Sequence, residues 1–273
     1  MVFYRRLTSI TNVLWAYTWK LFLPVLALLG FSQGYFLYSN LKDANYENLY
    51  DTSRYLYSSD MELKPWSLRF EEILARSHVK GIFILALIIT IIILISISLR
   101  QKLVSKVEYT YLRLPVSKYT WFFTNAFYGI SILAILFAFQ LIVILIGYKM
   151  YLYFVPEEAV MTQGLFLAFA RWEFLYDFFP IINPFKIITN IILIIHTGLI
   201  IAHVNMAVLL KSNRRFSHVV GLLPFLFNSY EGIGGFIFLV VVVVLIDWWI
   251  VTSYPLMFKE VDKEEDRVEY GQN

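Results

Sequence analysis

Three ionisable side chains fall inside otherwise apolar runs, and chemistry would be sought there first. His196 and His203 are seven residues apart, so a helix would carry both on one face, with Asn205 nearby. Asp247 stands between Ile246 and the pair Trp248 and Trp249. Imidazoles and a carboxylate in such positions can relay protons, and an acid inside a membrane span is a functional position by default. The same residues also have plainer roles. The histidines suit polar contacts inside a helix bundle, and tryptophan pairs mark the headgroup belt, where Asp247 would meet water. A metal would need more ligands, and His78 and His218 fall in loop or span-end positions. The chain has no cysteine, which excludes thiol nucleophiles, zinc–thiolate sites and disulfides. It also lacks the glycine-rich loop ending in Gly-Lys-Ser or Gly-Lys-Thr that cradles nucleotide phosphates, and no serine, histidine and aspartate set has the context of a triad.

Glu71, Glu72 and Arg76 spell EExxxR. This resembles the first motif of the intramembrane CAAX-type proteases. That family places the motif within its membrane helices and adds FxxxH. Here the glutamates lie in a hydrophilic loop, and Ile192 and Leu199 stand four residues before the two histidines. Read from the residues alone, the charges decorate an amphipathic surface helix.

The elements that must position these residues are apolar helices. The composition is 59% hydrophobic, against about 45–50% for a soluble domain. Gly81 to Leu99 and Trp121 to Gly147 are uncharged runs of 19 and 27 residues. Continuous runs of that length read as an all-α polytopic membrane protein, whereas a β-barrel would show short alternating segments. The expected spans are Leu21 to Tyr38, Gly81 to Leu99, Trp121 to Gly147, Ile187 to Leu210, a short re-entrant-like fifth helix over Phe216 to Tyr230, and Phe236 to Met257. Six spans make one transmembrane domain, residues 1–258, followed by an acidic solvated tail, 259–273. The N-terminal stretch lacks the early apolar run and cleavage site of a signal peptide, and Trp15, Trp19 and Lys20 read as an interfacial helix leading into the first span. Gly30 and Gly34 in that span form a small-xxx-small pair for close helix packing.

Two intervening segments carry features of their own. Residues 39–80 form a polar, Tyr-rich loop, in which Trp66, Phe70, Ile73 and Leu74 mark the apolar stripe of a short helix. Met161 to Pro180 is aromatic but interrupted by Arg171, Glu173 and Asp177, so it reads as a surface or re-entrant element rather than a span. Basic residues concentrate in the short N-terminal, 100–120 and 211–215 segments, while the 39–80 and 148–186 segments hold most of the acids. Orientation follows Lys and Arg in short flanking segments, which places both termini in the cytoplasm and 39–80 outside. The net charge of +3 is explained by this topology, and no nucleic-acid partner is implied.

The 100–120 segment carries more than charge. Leu103, Val107, Tyr111 and Leu114 recur at helical spacing, with Lys106 and Arg113 on other faces. Pro115 ends the run, and Ser117 before Lys118 can cap the helix that becomes the third span. The residues themselves allow a lipid-bound surface helix or a docking surface for a cytosolic protein.

Glu108, followed by LRLPVSKYTWFFTN from Leu112 to Asn125, resembles the permease subunits of ABC-2 type transporters. In that family a glutamate, a leucine-rich turn and LPVS with Lys or Arg stand between the second and third of six spans. The resemblance implies a non-enzymatic permease of the cytoplasmic membrane, most often an exporter, pairing with a second permease subunit and docking cytosolic ABC ATPase subunits. Leu103, Lys106, Val107, Glu108, Tyr111, Arg113, Leu114, Pro115, Val116, Ser117 and Lys118 would form the coupling element. The chain itself would bind no cofactor and no metal; ATP and Mg would sit on the partner ATPase. A membrane binding or immunity protein acting through Tyr46, Tyr50, Tyr55 and Tyr57 is the alternative reading, with an intramembrane protease behind it.

Overall fold

A computed structural model describes residues 2–47, 56–57, 63–64, 69–104, 118–155, 157, 160–161, 163–209 and 236–253. Eight helices occur among them: α1 (Val2–Glu47), α2 (Phe70–Arg76), α3 (Val79–Val104), α4 (Lys118–Phe154), α5 (Gly164–Arg171), α6 (Glu173–Phe178), α7 (Pro184–Leu209) and α8 (Phe236–Ser253). The β-strands described form a two-residue ladder, β1 (Leu56–Tyr57) antiparallel to β2 (Leu63–Lys64), with Leu56 opposite Lys64. Stretches of α1, α3, α4, α7 and α8 are long and apolar enough to cross a membrane. The chain is therefore an all-α, multi-pass membrane protein. The expected fifth helix, 216–230, and the acidic tail lie outside the described residues.

Helix ends differ from the apolar runs, because composition marks the hydrocarbon thickness while the backbone continues for as long as its hydrogen bonds do. The sequence suggests an interfacial helix followed by a first span over Leu21 to Tyr38, but α1 is unbroken through Pro24 for 46 residues. Proline removes one backbone donor, which neighbouring turns of a long helix tolerate. At 1.5 Å per residue α1 is about 69 Å long and α4 about 55 Å, against a hydrocarbon core of ~30 Å. Both helices are longer than one straight crossing requires. Residues 39–47, expected as loop, are the end of α1, and residues 100–104 belong to α3.

The chain divides into two compact units: Met1–Phe22, Ile89–Ala134 and Ile188–Asn273 form one, and Leu23–Ile88 with Ile135–Ile187 form the other. In the second unit, the Phe83 ring meets Phe137, Phe174, Phe178 and Phe179 at centroid distances of 5.3, 5.5, 5.6 and 6.2 Å. This cluster seats α6; α5 and α6 are two short helices over the 161–180 region, neither long enough to span. α2 packs on α5, burying Phe70, Ile73 and Leu74. His78, at φ 52°, takes the left-handed conformation that reverses the chain from α2 into α3. Its ring lies edge-on to Phe36, and Asn40 Nδ2 donates to Ser77 Oγ at 3.1 Å.

In the first unit α4 and α7 approach each other closely. A Cβ built on Gly198 would overlap Ile130 Cγ1 and lie 2.9 Å from the Ala126 carbonyl oxygen, while one on Gly129 would stand 3.7 Å from the Gly198 Cα. Backbones this close require the missing side chains, as at small-residue crossings of membrane helices. Trp15 packs edge-on against Tyr128, joining α1 to α4.

Candidate functional site

α7 carries a polar stripe through an apolar helix. Thr189, His196, His203 and Asn205 are all buried, and the first three recur at seven-residue spacing on one face. His196 is about 18 Å along the axis from Pro184 and about 20 Å from Leu209, near the middle of α7. Its imidazole is fully buried, and its Nδ1 lies 2.6 Å from Asp247 Oδ1 on α8. The side chain of Asp247 keeps 20% of its surface exposed. Asp247, next to Trp248 and Trp249 on α8, is thereby engaged with a residue near the midpoint of the neighbouring helix α7.

The chemistry of the pair follows from its setting. A carboxylate in an apolar span is costly unless it is hydrogen-bonded or paired, and the imidazole supplies that contact. A bond of 2.6 Å between these groups has the short length of charge-assisted contacts. It holds both rotamers and ties α7 to α8. Two turns further along α7, His203 is also buried. Asn205 Nδ2 donates to the Leu94 carbonyl oxygen of α3 at 3.4 Å. Among the described residues no group of three or more His, Cys, Asp or Glu side chains could hold a metal ion.

Comparison with protein-family models, with curated proteins and with solved structures returned no match.

The other residues singled out from the sequence are placed as follows. Gly30 faces Phe139, whose ring would be 3.1 Å from an added Cβ, whereas Gly34 would meet nothing within 4 Å. Glu71 is buried on α2 next to Phe70, and its Oε2 has no hydrogen-bond partner among the described residues. Glu72 pairs loosely with Arg69 at 3.9 Å, and Arg76 is exposed. The two glutamates therefore have different surroundings. They belong to the second unit, and His196 and His203 to the first. Within the coupling segment, Leu103 lies in the last turn of α3 and Lys118 begins α4; Lys106, Val107, Glu108, Tyr111, Arg113, Leu114, Pro115, Val116 and Ser117 lie outside the described residues.

Sequence reasoning missed one polar contact of similar weight. Gln33 on α1 and Gln140 on α4 are both fully buried, and each donates its amide nitrogen to the other's carbonyl oxygen at 3.0 Å. Gln33 Nε2 also donates to the Val79 carbonyl oxygen at 3.2 Å. The available signal was an isolated amide inside each of two apolar runs, since such a group needs an internal partner.

Proposed function

We propose that this chain is the membrane-spanning permease subunit of an ATP-driven transporter of the ABC-2 type, working as a dimer on separate cytosolic ATPase subunits. The observation that carries the reading is the segment between α3 and α4. Two long apolar helices stop at Val104 and start at Lys118, and the chain joining them is basic, bears an apolar stripe and ends in Leu114-Pro115-Val116-Ser117. An ATPase pressing on such a segment has a short path to α4, because a proline break next to a helix start is stiff. The orientation that puts this segment in the cytoplasm follows the basic residues. An ionisable pair inside the spans supports transport further, since such groups recur along substrate and ion pathways.

The test is co-purification. The chain purified in mild detergent from the cell that naturally makes it should bring down a P-loop ATPase. Leu114→Asp or Val116→Asp should abolish coupling of ATP hydrolysis to transport while membrane insertion is unchanged. A complex without any ATPase, together with wild-type behaviour of both variants, would overturn the reading.

A further inference from the structure

One carboxylate oxygen of Asp247 is engaged by His196, and no other hydrogen bond or ion pair reaches this side chain among the described residues. The second oxygen is therefore open to a partner, and the 20% exposure of the side chain gives access to it. The surroundings say what kind of partner fits. On a helix of 3.6 residues per turn, the side chains flanking position 247 are those at 243, 244, 250 and 251, with 248 about 100° round. Val243 and Ile250 are buried, while Val244 and Trp248 are 58% and 72% exposed. Asp247 thus stands on the border between the packed face of α8 and its apolar, outward face. A molecule reaching the carboxylate lies against Val244 and the Trp248 indole on the way.

Neither helix of the pair supplies a lysine or arginine to the carboxylate. α8 contains no Lys or Arg, and the single Lys of α7, Lys186, is held by Asp177 at 2.5 Å and by the Tyr176 ring. An anion in apolar surroundings favours a positive partner, and an indole face adds cation–π attraction, strongest for desolvated ammonium groups.

We infer that Asp247 binds the cationic head of an amphiphile, an alkylammonium group on a hydrocarbon body, with His196 as the positioning residue that holds the carboxylate. The hydrocarbon lies along the exposed valine and tryptophan face of α8, and the charge reaches the free oxygen. The claim rests on the permease reading only in making this amphiphile the transported class; binding itself needs no ATPase. The head group can come from a resident amine lipid or from a single-chain amphiphile that partitions into the membrane.

The experiment uses the purified full-length chain in nanodiscs of phosphatidylglycerol, with radiolabelled dodecyltrimethylammonium as probe in equilibrium dialysis. Wild type should show a saturable component above empty discs. Asp247→Asn should weaken it roughly tenfold or more, the scale of a lost charged contact, while Glu173→Gln should leave it unchanged. Asp247→Glu keeps the charge and should retain measurable binding if Asp247→Asn misfolds. On wild type alone, unlabelled dodecylpyridinium should displace the probe and neutral dodecanol should not. Adding phosphatidylethanolamine to the discs separates the sources: reduced probe binding identifies a resident lipid, and unchanged binding a partitioned amphiphile. Absence of a saturable component, equal binding by folded Asp247→Asn, or equal displacement by dodecanol would each overturn the inference. ATPase co-purification is scored separately, so loss of one result leaves the other standing.

Discussion

Gln33 and Gln140, 107 residues apart in the chain, face each other across α1 and α4 and exchange two hydrogen bonds of 3.0 Å. Each amide is satisfied by its twin, and a third bond runs from Gln33 to the Val79 carbonyl oxygen at the start of α3. Three membrane helices are thereby joined in the second unit by two side chains.

This reciprocity sets the first prediction. Gln33→Leu strands the Gln140 amide in an apolar interior and should destabilise the fold by about 1–2 kcal/mol. Changing both residues to Leu leaves no orphan, so the double variant should be more stable than either single one. Unfolding in mixed detergent micelles, followed by circular dichroism, measures the three values. A double variant less stable than both singles would show that the pair does more than satisfy itself.

Two glycines should respond in opposite directions to the same methyl group. Gly198→Ala drives a Cβ into Ile130 and toward the Ala126 carbonyl oxygen, and backbone cannot move aside cheaply. A loss of about 1–3 kcal/mol is expected, the usual cost of overpacking. Gly34→Ala meets open space within the chain and should be neutral or stabilising by up to about 1 kcal/mol, the helix-propensity difference. Thermal denaturation of the purified variants ranks them.

Phe83 anchors the short helix α6 through Phe174, Phe178 and the following Phe179. Phe83→Ala should cost about 3–5 kcal/mol, in line with large-to-small changes in packed cores. The loss should be local first. Tryptic cleavage after the exposed Arg171, between α5 and α6, should accelerate well before the long helices unfold, and peptide mass analysis reads the site. Uniform acceleration at all sites would instead mean that the cluster holds the whole unit.

Much of the architecture was legible without coordinates, and specific residues show why. The uncharged runs containing Leu94, Ile132 and Leu193 are longer than a soluble core requires, so helices were implied there. The three charges at Arg171, Glu173 and Asp177 argued against a span at 161–180, and two short helices occupy that region. The stripe of Phe70, Ile73 and Leu74 marked α2 and its buried face. Other features were hidden. The interfacial residues Trp15, Trp19 and Lys20 before Leu21 and the polar residues after Tyr38 suggested boundaries that α1 does not have, because helix continuity depends on backbone bonds that composition does not report. His196 and Asp247 were each visible as ionisable groups in apolar runs, but nothing in either run named the other.

What the sequence determined by itself was the solvent of this protein: a bilayer imposes a length and a polarity on each crossing segment, and that demand is local, so it is written in consecutive residues. The tertiary structure alone decided the partnerships, Gln33 with Gln140, Gly129 with Gly198, His196 with Asp247. Periodicity shows which face of a helix is polar or small. Which other face it meets depends on how whole helices pack, and that is settled by the sum of many contacts far apart in the chain.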